Sequence, residues 1–158
     1  MPYVIDGYNL LRAVQKNFDG FSHISEYEFC SLISEFIRRK RSHGYLFFDG
    51  TGPPTRSNLA GFKYLDVIFS GRDTDADTMI EELIEKNTHP KRLNVISSDR
   101  RIRTAARKRR AKPIPSLDFW ELMAKKLTQK PKHPPEPPQK RNGLTESEVD
   151  AWLKIFRI

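Results

Sequence analysis

Three aspartates occupy positions at which a folded chain can gather charge in one place. Asp6 ends the apolar run Tyr3-Val4-Ile5 and is followed by Gly7-Tyr8-Asn9-Leu10. Asp99 ends a second run, Val95-Ile96-Ser97-Ser98. Asp77 closes the alternating segment Asp73-Thr74-Asp75-Ala76-Asp77. A carboxylate at the end of a buried strand is costly unless it is paired or bound to a metal. Carboxylates without cysteine or histidine partners suit Mg²⁺ or Mn²⁺, which take oxygen ligands in octahedral sites. Such ions hydrolyse phosphodiesters by activating water and by stabilising charge on the attacking and leaving oxygens.

The positioning elements follow from periodicity. Apolar runs at residues 3–5, 45–48, 64–69 and 93–96 read as strands, and Lys112-Pro113-Ile114-Pro115 as an edge strand, since proline is excluded from sheet centres. Leu10, Leu11 and Val14 suggest a short helix, with a loop over 15–24. Ser25 and Glu28 form a capping box that opens a helix carrying Phe29, Cys30, Ile33, Phe36 and Ile37 on one stripe. Its last turn, Arg38-Arg39-Lys40-Arg41, complements the helix dipole or contacts nucleic acid. Ala76, Ile80, Leu83 and Ile84 mark a further helix, and an arginine-rich one follows Asp99. Ser116 is expected to cap a last core helix with Leu117, Trp120, Leu122, Met123 and Leu127. Strands alternating with helices imply a mainly parallel sheet with right-handed crossovers. Strands that are apolar throughout suit a sheet covered on both faces, a Rossmann-like α/β/α sandwich. The carboxyl edge of such a sheet is where ligands bind.

Local chemistry offers each acid a second reading. Asp6 followed by Gly7 also spells a turn. Asn9 either supports Asp6 by hydrogen bonding or caps the short helix. Ser98 or Asp99 would cap the arginine helix, and Thr74 with Asp77 resembles a capping box. Three alternating acids exceed what capping needs, so Asp77 is favoured for the site and Asp75 is second. Asp49, before Gly50, is a weaker candidate that fits a plain turn, and Glu81 and Glu85 read as a solvated face. Histidines 23, 43, 89 and 133 show no zinc spacing, and Cys30 lies on an apolar stripe. There is no Walker-type glycine loop.

With 158 residues, the chain fits one domain and an appendage. One cysteine rules out an internal disulfide framework and favours a reducing compartment. Without a membrane-length apolar run or signal-peptide layout, a cytoplasmic protein away from membranes is expected. The net charge of +8, from 28 basic and 20 acidic residues, raises the expectation of a polyanionic partner. Residues 1–128 form the expected domain. Residues 129–143 form a linker, with five prolines within 129–141. Residues 144–158 form an amphipathic helix, opened by Thr145 and Glu148 and carrying Val149, Trp152, Leu153 and Phe156 on one face. That face either docks on its own domain or a second copy, or seats in another protein's groove.

In order along the chain, Val4-Ile5-Asp6-Gly7-Tyr8-Asn9-Leu10, Phe48-Asp49-Gly50, Ala76-Asp77 with Ile80-Glu81, and Ser97-Ser98-Asp99 resemble a PIN-like nuclease of the NYN branch, specifically its YacP-like members. The resemblance covers residues 1–127. It implies acidic residues around one or two Mg²⁺ or Mn²⁺ ions and endoribonuclease activity, in some members on ribosome-associated messenger RNA. By motif, Asp6, Asp77 and Asp99 would be the catalytic, metal-binding carboxylates, with Asn9, Ser97 and Ser98 as supporting polar groups. Asp75 is an additional acid of this sequence.

Arg100, Arg103 and Arg107 share one helix face by spacing and are expected to hold RNA phosphates beside the site. Tyr8 and Phe62 are better read as packing residues than as base-stacking ones. A catalytically silent RNA-binding or adaptor module is the first competing reading, although a binder gains nothing from acids facing phosphate. A nuclease for structured DNA ranks lower, and a nucleotide-binding Rossmann protein lacks the glycine fingerprint.

Overall fold

A computed structural model of the chain describes residues 1–129 together with 151, 152, 154 and 155. The strands are β1 (Tyr3–Asp6), β2 (Gly44–Phe48), β3 (Leu65–Phe69), β4 (Asn94–Ile96) and β5 (Lys112–Ile114). The helices are α1 (Gly7–Asn17), α2 (Glu26–Arg39), α3 (Ala76–Lys86), α4 (Arg100–Lys108) and α5 (Ser116–Thr128). The strands form one sheet in the order β3-β2-β1-β4-β5, with every neighbouring pair parallel. The proline-bearing β5 lies at an edge, where its missing N–H costs no central ladder bond.

Helices cover both faces. Along β1, Tyr3 and Ile5 point into a core with Leu10, Val14, Phe29, Phe36, Phe119 and Trp120, so α1, α2 and α5 lie on that side. Val4 points the other way, into a core with Ile80, Ile84, Ile102 and Ala106 from α3 and α4. The expected α/β/α sandwich is the fold.

Strand order makes the edge above β1 special. The chain runs from β1 outward through β2 and β3, then returns to the other side of β1 for β4 and β5. Crossovers leaving β1 and β4 therefore diverge, and a crevice opens at the carboxyl ends of these two strands. Ile5 pairs with Ile96, which places Asp6 level with Ser97 at that crevice.

Several local expectations are corrected. The segment expected as a loop over 15–24 is partly helical: α1 runs to Asn17, and a 3₁₀ turn follows at Asp19–Phe21. The reason is Phe21, which is buried with its ring edge-on to Trp120. The cap of α3 is Asp75 and not Thr74. Ser116 does not cap α5; Pro115 holds that position and Ser116 is the first helical residue. Leu122, expected in the core, is 43% exposed, because the buried face of α5 is Ser116, Phe119, Trp120, Met123 and Leu127. The Ser25–Glu28 capping box is present. Arg39 does more than complement the dipole of α2. It bonds Glu35, and its Nη1 donates to the carbonyls of Lys126, Leu127 and Gln129, tying α2 to the end of α5.

The expected linker lies outside the described residues, apart from Gln129. So do Thr145, Glu148, Val149, Leu153 and Phe156. Ala151, Trp152, Lys154 and Ile155 are helical. Trp152 stacks on Phe21 with centroids 5.2 Å apart and planes at 12°. Ile155 packs over Gly20, where an added Cβ would meet its Cγ2 at 2.1 Å.

Candidate active site

Asp6 is the last residue of β1 and is only 8% exposed. Gly7 follows without a side chain because none fits: a Cβ there would lie 2.6 Å from the Phe48 ring and 2.7 Å from the Phe47 carbonyl. The chain therefore turns directly from strand into α1. Asp6 Oδ2 accepts a hydrogen bond from Ser97 Oγ at 2.9 Å, and Ser97 Oγ accepts from the Asp99 backbone N–H at 3.0 Å. A fully buried serine thus links two of the expected acids. Burial pushes the Asp6 carboxyl up to about 6; the Ser97 bond opposes this, and negative charge on Asp77, Asp49 and Asp99 adds to it.

Asp99 is half-buried and caps α4, its Oδ1 accepting from the Arg101 N–H at 2.8 Å. Capping and a place beside Asp6 coincide in this residue. Asp77 lies in the first turn of α3 and is also half-buried. Burial raises its carboxyl, as do the charges of Asp99, Asp49 and Asp75, while Arg101 lowers it. The carboxylates of Asp6, Asp77 and Asp99 therefore sense one another. Asp49 also belongs to this neighbourhood. It is exposed, and its Oδ1 accepts from the Ala76 N–H at 2.7 Å, joining the end of β2 to the start of α3. The sequence did carry its signal: Phe48-Asp49-Gly50 repeats the pattern of Ile5-Asp6-Gly7, but it spells a turn equally well.

Asp75, expected as a further metal ligand, is fully exposed and caps α3 through the Thr78 N–H at 2.7 Å. That backbone bond holds its carboxyl below the usual range. Glu81 is not merely solvated, since Arg101 Nη2 reaches its Oε2 at 3.2 Å.

Among the described residues Asn9 makes no hydrogen bond to Asp6. Its Oδ1 accepts from the Ser98 N–H at 3.0 Å and from the Ser116 hydroxyl at 2.7 Å. Ser116 is the residue that sequence reasoning missed, and a serine at the start of a helix gives no local sign of such a task. Arg100 and Arg107 are exposed, whereas Arg103 is half-buried with its Nε lacking a hydrogen-bond partner among the described residues. A groove of about 660 Å³ between α3 and α4 is lined by Arg100, Thr104 and Lys108 on the α4 side and by Glu81 and Glu85 on the α3 side. Tyr8 packs on Phe48 at 4.6 Å between ring centroids, and Phe62 is buried against Tyr27. Burial pushes the Cys30 thiol far up, so it is no nucleophile.

Among the described residues, no three His, Cys, Asp or Glu side chains are arranged as a ready metal cage. The donors present are carboxylates backed by serine and asparagine. This set fits a hard cation such as Mg²⁺, which proteins commonly hold through one or two carboxylates, with water and substrate phosphate completing the shell. No described helix is long and apolar enough to cross a membrane.

No curated protein sequence matches the chain significantly. Two of the solved structures that resemble it are of one protein. One is Rae1 (YacP) from Bacillus subtilis, with TM-score 0.62 and 17% identity over 80% of this chain and 75% of that one. The other is a tryptophan-to-leucine variant of the same protein, with TM-score 0.61 and 16% identity over 96% and 99% of the two chains. At this identity the likeness speaks for the fold, which is PIN-like. A family model described as the YacP-like NYN domain matches residues 3–157. The chain therefore belongs to the YacP-like NYN domain family.

Proposed function

We propose that this protein is a metal-dependent endoribonuclease acting through Asp6, Asp77 and Asp99. One observation carries the reading: at the crevice above β1 and β4, the buried Asp6 carboxyl is joined through Ser97 to the Asp99 turn, and the negative charges of Asp77, Asp49 and Asp99 act on it. That arrangement costs stability in a bare protein, and a cation would relieve it. Membership of a family with a PIN-like nuclease fold supports the same reading. A Mg²⁺ or Mn²⁺ ion held by these acids would supply an activated water and neutralise charge developing on phosphate.

The chain's own residues divide the remaining work. Ser97 holds Asp6 and the start of the Asp99 turn in one geometry. Arg100, Arg103 and Arg107 are proposed to bind phosphates flanking the scissile bond, giving affinity without sequence choice. Arg100 also lines the groove between α3 and α4, which offers a strand a path away from the acids. Asp75 is left to its capping task. A silent RNA-binding module is disfavoured, because it would keep a buried acid among like charges for no return.

Single-turnover cleavage of single-stranded RNA with Mn²⁺ tests this. Asp6→Asn, Asp77→Asn and Asp99→Asn should bind RNA at least as well as the wild type and cut it roughly 10²-fold or more slowly. Equal cutting by all four proteins would overturn the assignment.

A further inference from the structure

The first turn of α1, the loop after β4 and the first residue of α5 meet at one amide. Asn9 Oδ1 takes two hydrogen bonds, from the Ser98 N–H and the Ser116 hydroxyl, at 3.0 and 2.7 Å. The Ser116 N–H donates to Ser98 Oγ at 3.0 Å, which closes the triangle. Ser116 is fully buried, and Asn9 is half-buried. A backbone N–H only donates, so Ser98 fixes which end of the Asn9 amide is oxygen. The planar amide then turns its Nδ2 away from both serines. That nitrogen has no hydrogen-bond partner among the described residues, whereas the oxygen is doubly held. Ser98 itself lies between Ser97, which grips Asp6, and Asp99, and Asn9 sits one turn after Asp6 in α1, so the amide is anchored to the same turn that carries the acids.

We propose that Ser116 is a positioning residue: it locks Asn9 so that the Asn9 amide nitrogen donates to a phosphate oxygen of RNA at the carboxylate site. The inference rests on the ribonuclease reading above. A phosphate entering among aspartates is repelled, and a fixed neutral donor offsets this without neutralising the acids. Preorganisation is what Ser116 supplies. The terminal torsion of asparagine is broad and soft, so one hydrogen bond to its oxygen leaves the amide free to rock. Two bonds from different elements do not. A donor already aimed at developing charge contributes most to the transition state.

The test has two arms. In the first, cleavage of a single-stranded oligoribonucleotide is compared for wild type, Ser116→Ala and Ser116→Thr. Ser116→Ala should lower kcat about tenfold with KM changed less than about threefold, and Ser116→Thr, which keeps the hydroxyl, should recover most of the loss. In the second, the Asn9 side-chain amide signals of ¹⁵N-labelled Asp6→Asn protein are followed as the same oligoribonucleotide is added. They should shift on binding, and the shift should disappear when Ser116→Ala is added. A folded Ser116→Ala protein with wild-type kcat overturns the proposal. Asn9 signals that ignore RNA overturn it too, even where Ser116→Ala does not fold. If the wild type does not cut, the nuclease reading fails separately, and the amide arm still decides the role of Ser116 because it requires only binding.

Discussion

Replacing Asp6 by asparagine should disable the site and stabilise the protein, and the pH dependence of that stabilisation is fixed in advance. In the unfolded chain Asp6 titrates near 3.8, and in the fold near 6. Between these values the folded chain retains a proton that the unfolded chain has lost. Stability contributed by the protonated carboxyl is complete below about pH 4 and disappears as pH rises through 6. The full difference is about 3 kcal/mol. Asparagine keeps an oxygen for the Ser97 hydroxyl but places an amide N–H₂ where no donor is needed, so about 2 kcal/mol should be realised. For a domain of this size that is a rise of about 4–8 °C in melting temperature at pH 7.5.

Thermal unfolding followed by circular dichroism at pH 4, 5, 6 and 7.5, without divalent ions, measures this directly. The advantage of Asp6→Asn should be near zero at pH 4 and grow through pH 6. Added Mn²⁺ should then raise the wild-type melting temperature at pH 7.5, by mass action on the folded state, and leave that of Asp6→Asn almost unchanged. An advantage equal at pH 4 and pH 7.5 would mean that Asp6 acts through packing and not charge. A destabilised Asp6→Asn at pH 7.5 would refute the reasoning outright.

Gly20→Ala should destabilise by about 2 kcal/mol, the value of the partly buried Trp152 and Ile155 faces it would displace, and Trp152 fluorescence should shift to the red. In an Ile155→Ala background the same change should cost almost nothing, a non-additivity that calorimetry of the four proteins reads. Gly7→Ala should cost about 3 kcal/mol or more, because the added methyl meets the Phe47 carbonyl as well as the Phe48 ring, and the loss shows as a lower urea midpoint. Asp75→Ala should lower the melting temperature slightly as a lost helix cap and leave the RNA cleavage rate within a few-fold; loss of cutting would restore it as a metal ligand.

What sequence patterns reveal here is whatever has a local cause. The Ser25–Glu28 box, the apolar strands and the strand-end position of Asp6 follow from neighbours a few residues away, and all are present. Readings fail where a partner is distant. Arg39 reads as dipole compensation, yet its guanidinium reaches carbonyls 87 to 90 residues along the chain. Ser116 reads as a cap, yet its hydroxyl serves Asn9, 107 residues away. Asp49 reads as half of an Asp-Gly turn, and only the arrival of α3 at the same edge gives its carboxylate the Ala76 N–H. Local signals specify elements. The pairing of their ends is decided by sheet order, which no window of sequence contains.

Capping and catalysis are not rival explanations for these acids, because helix N-termini and strand ends share one edge of the sheet. Asp75, Asp99 and Asp49 each give an oxygen to a backbone N–H at the start of α3 or α4. Such bonds favour the charged form, and the Asp75 carboxyl is accordingly held low. Asp6 precedes α1 in the same way but makes no side-chain cap bond. Its donor is the neutral Ser97 hydroxyl, and the charges acting on it are negative. A carboxylate that gives one oxygen to a helix end, as Asp99 does, still has its other oxygen for a cation; one held among like charges gains most from it. Asp6 is the most buried of the three acids and only negative charge acts on it, so it is the one around which a metal would assemble, and Asp6→Asn should be the most damaging of the three substitutions for cation affinity.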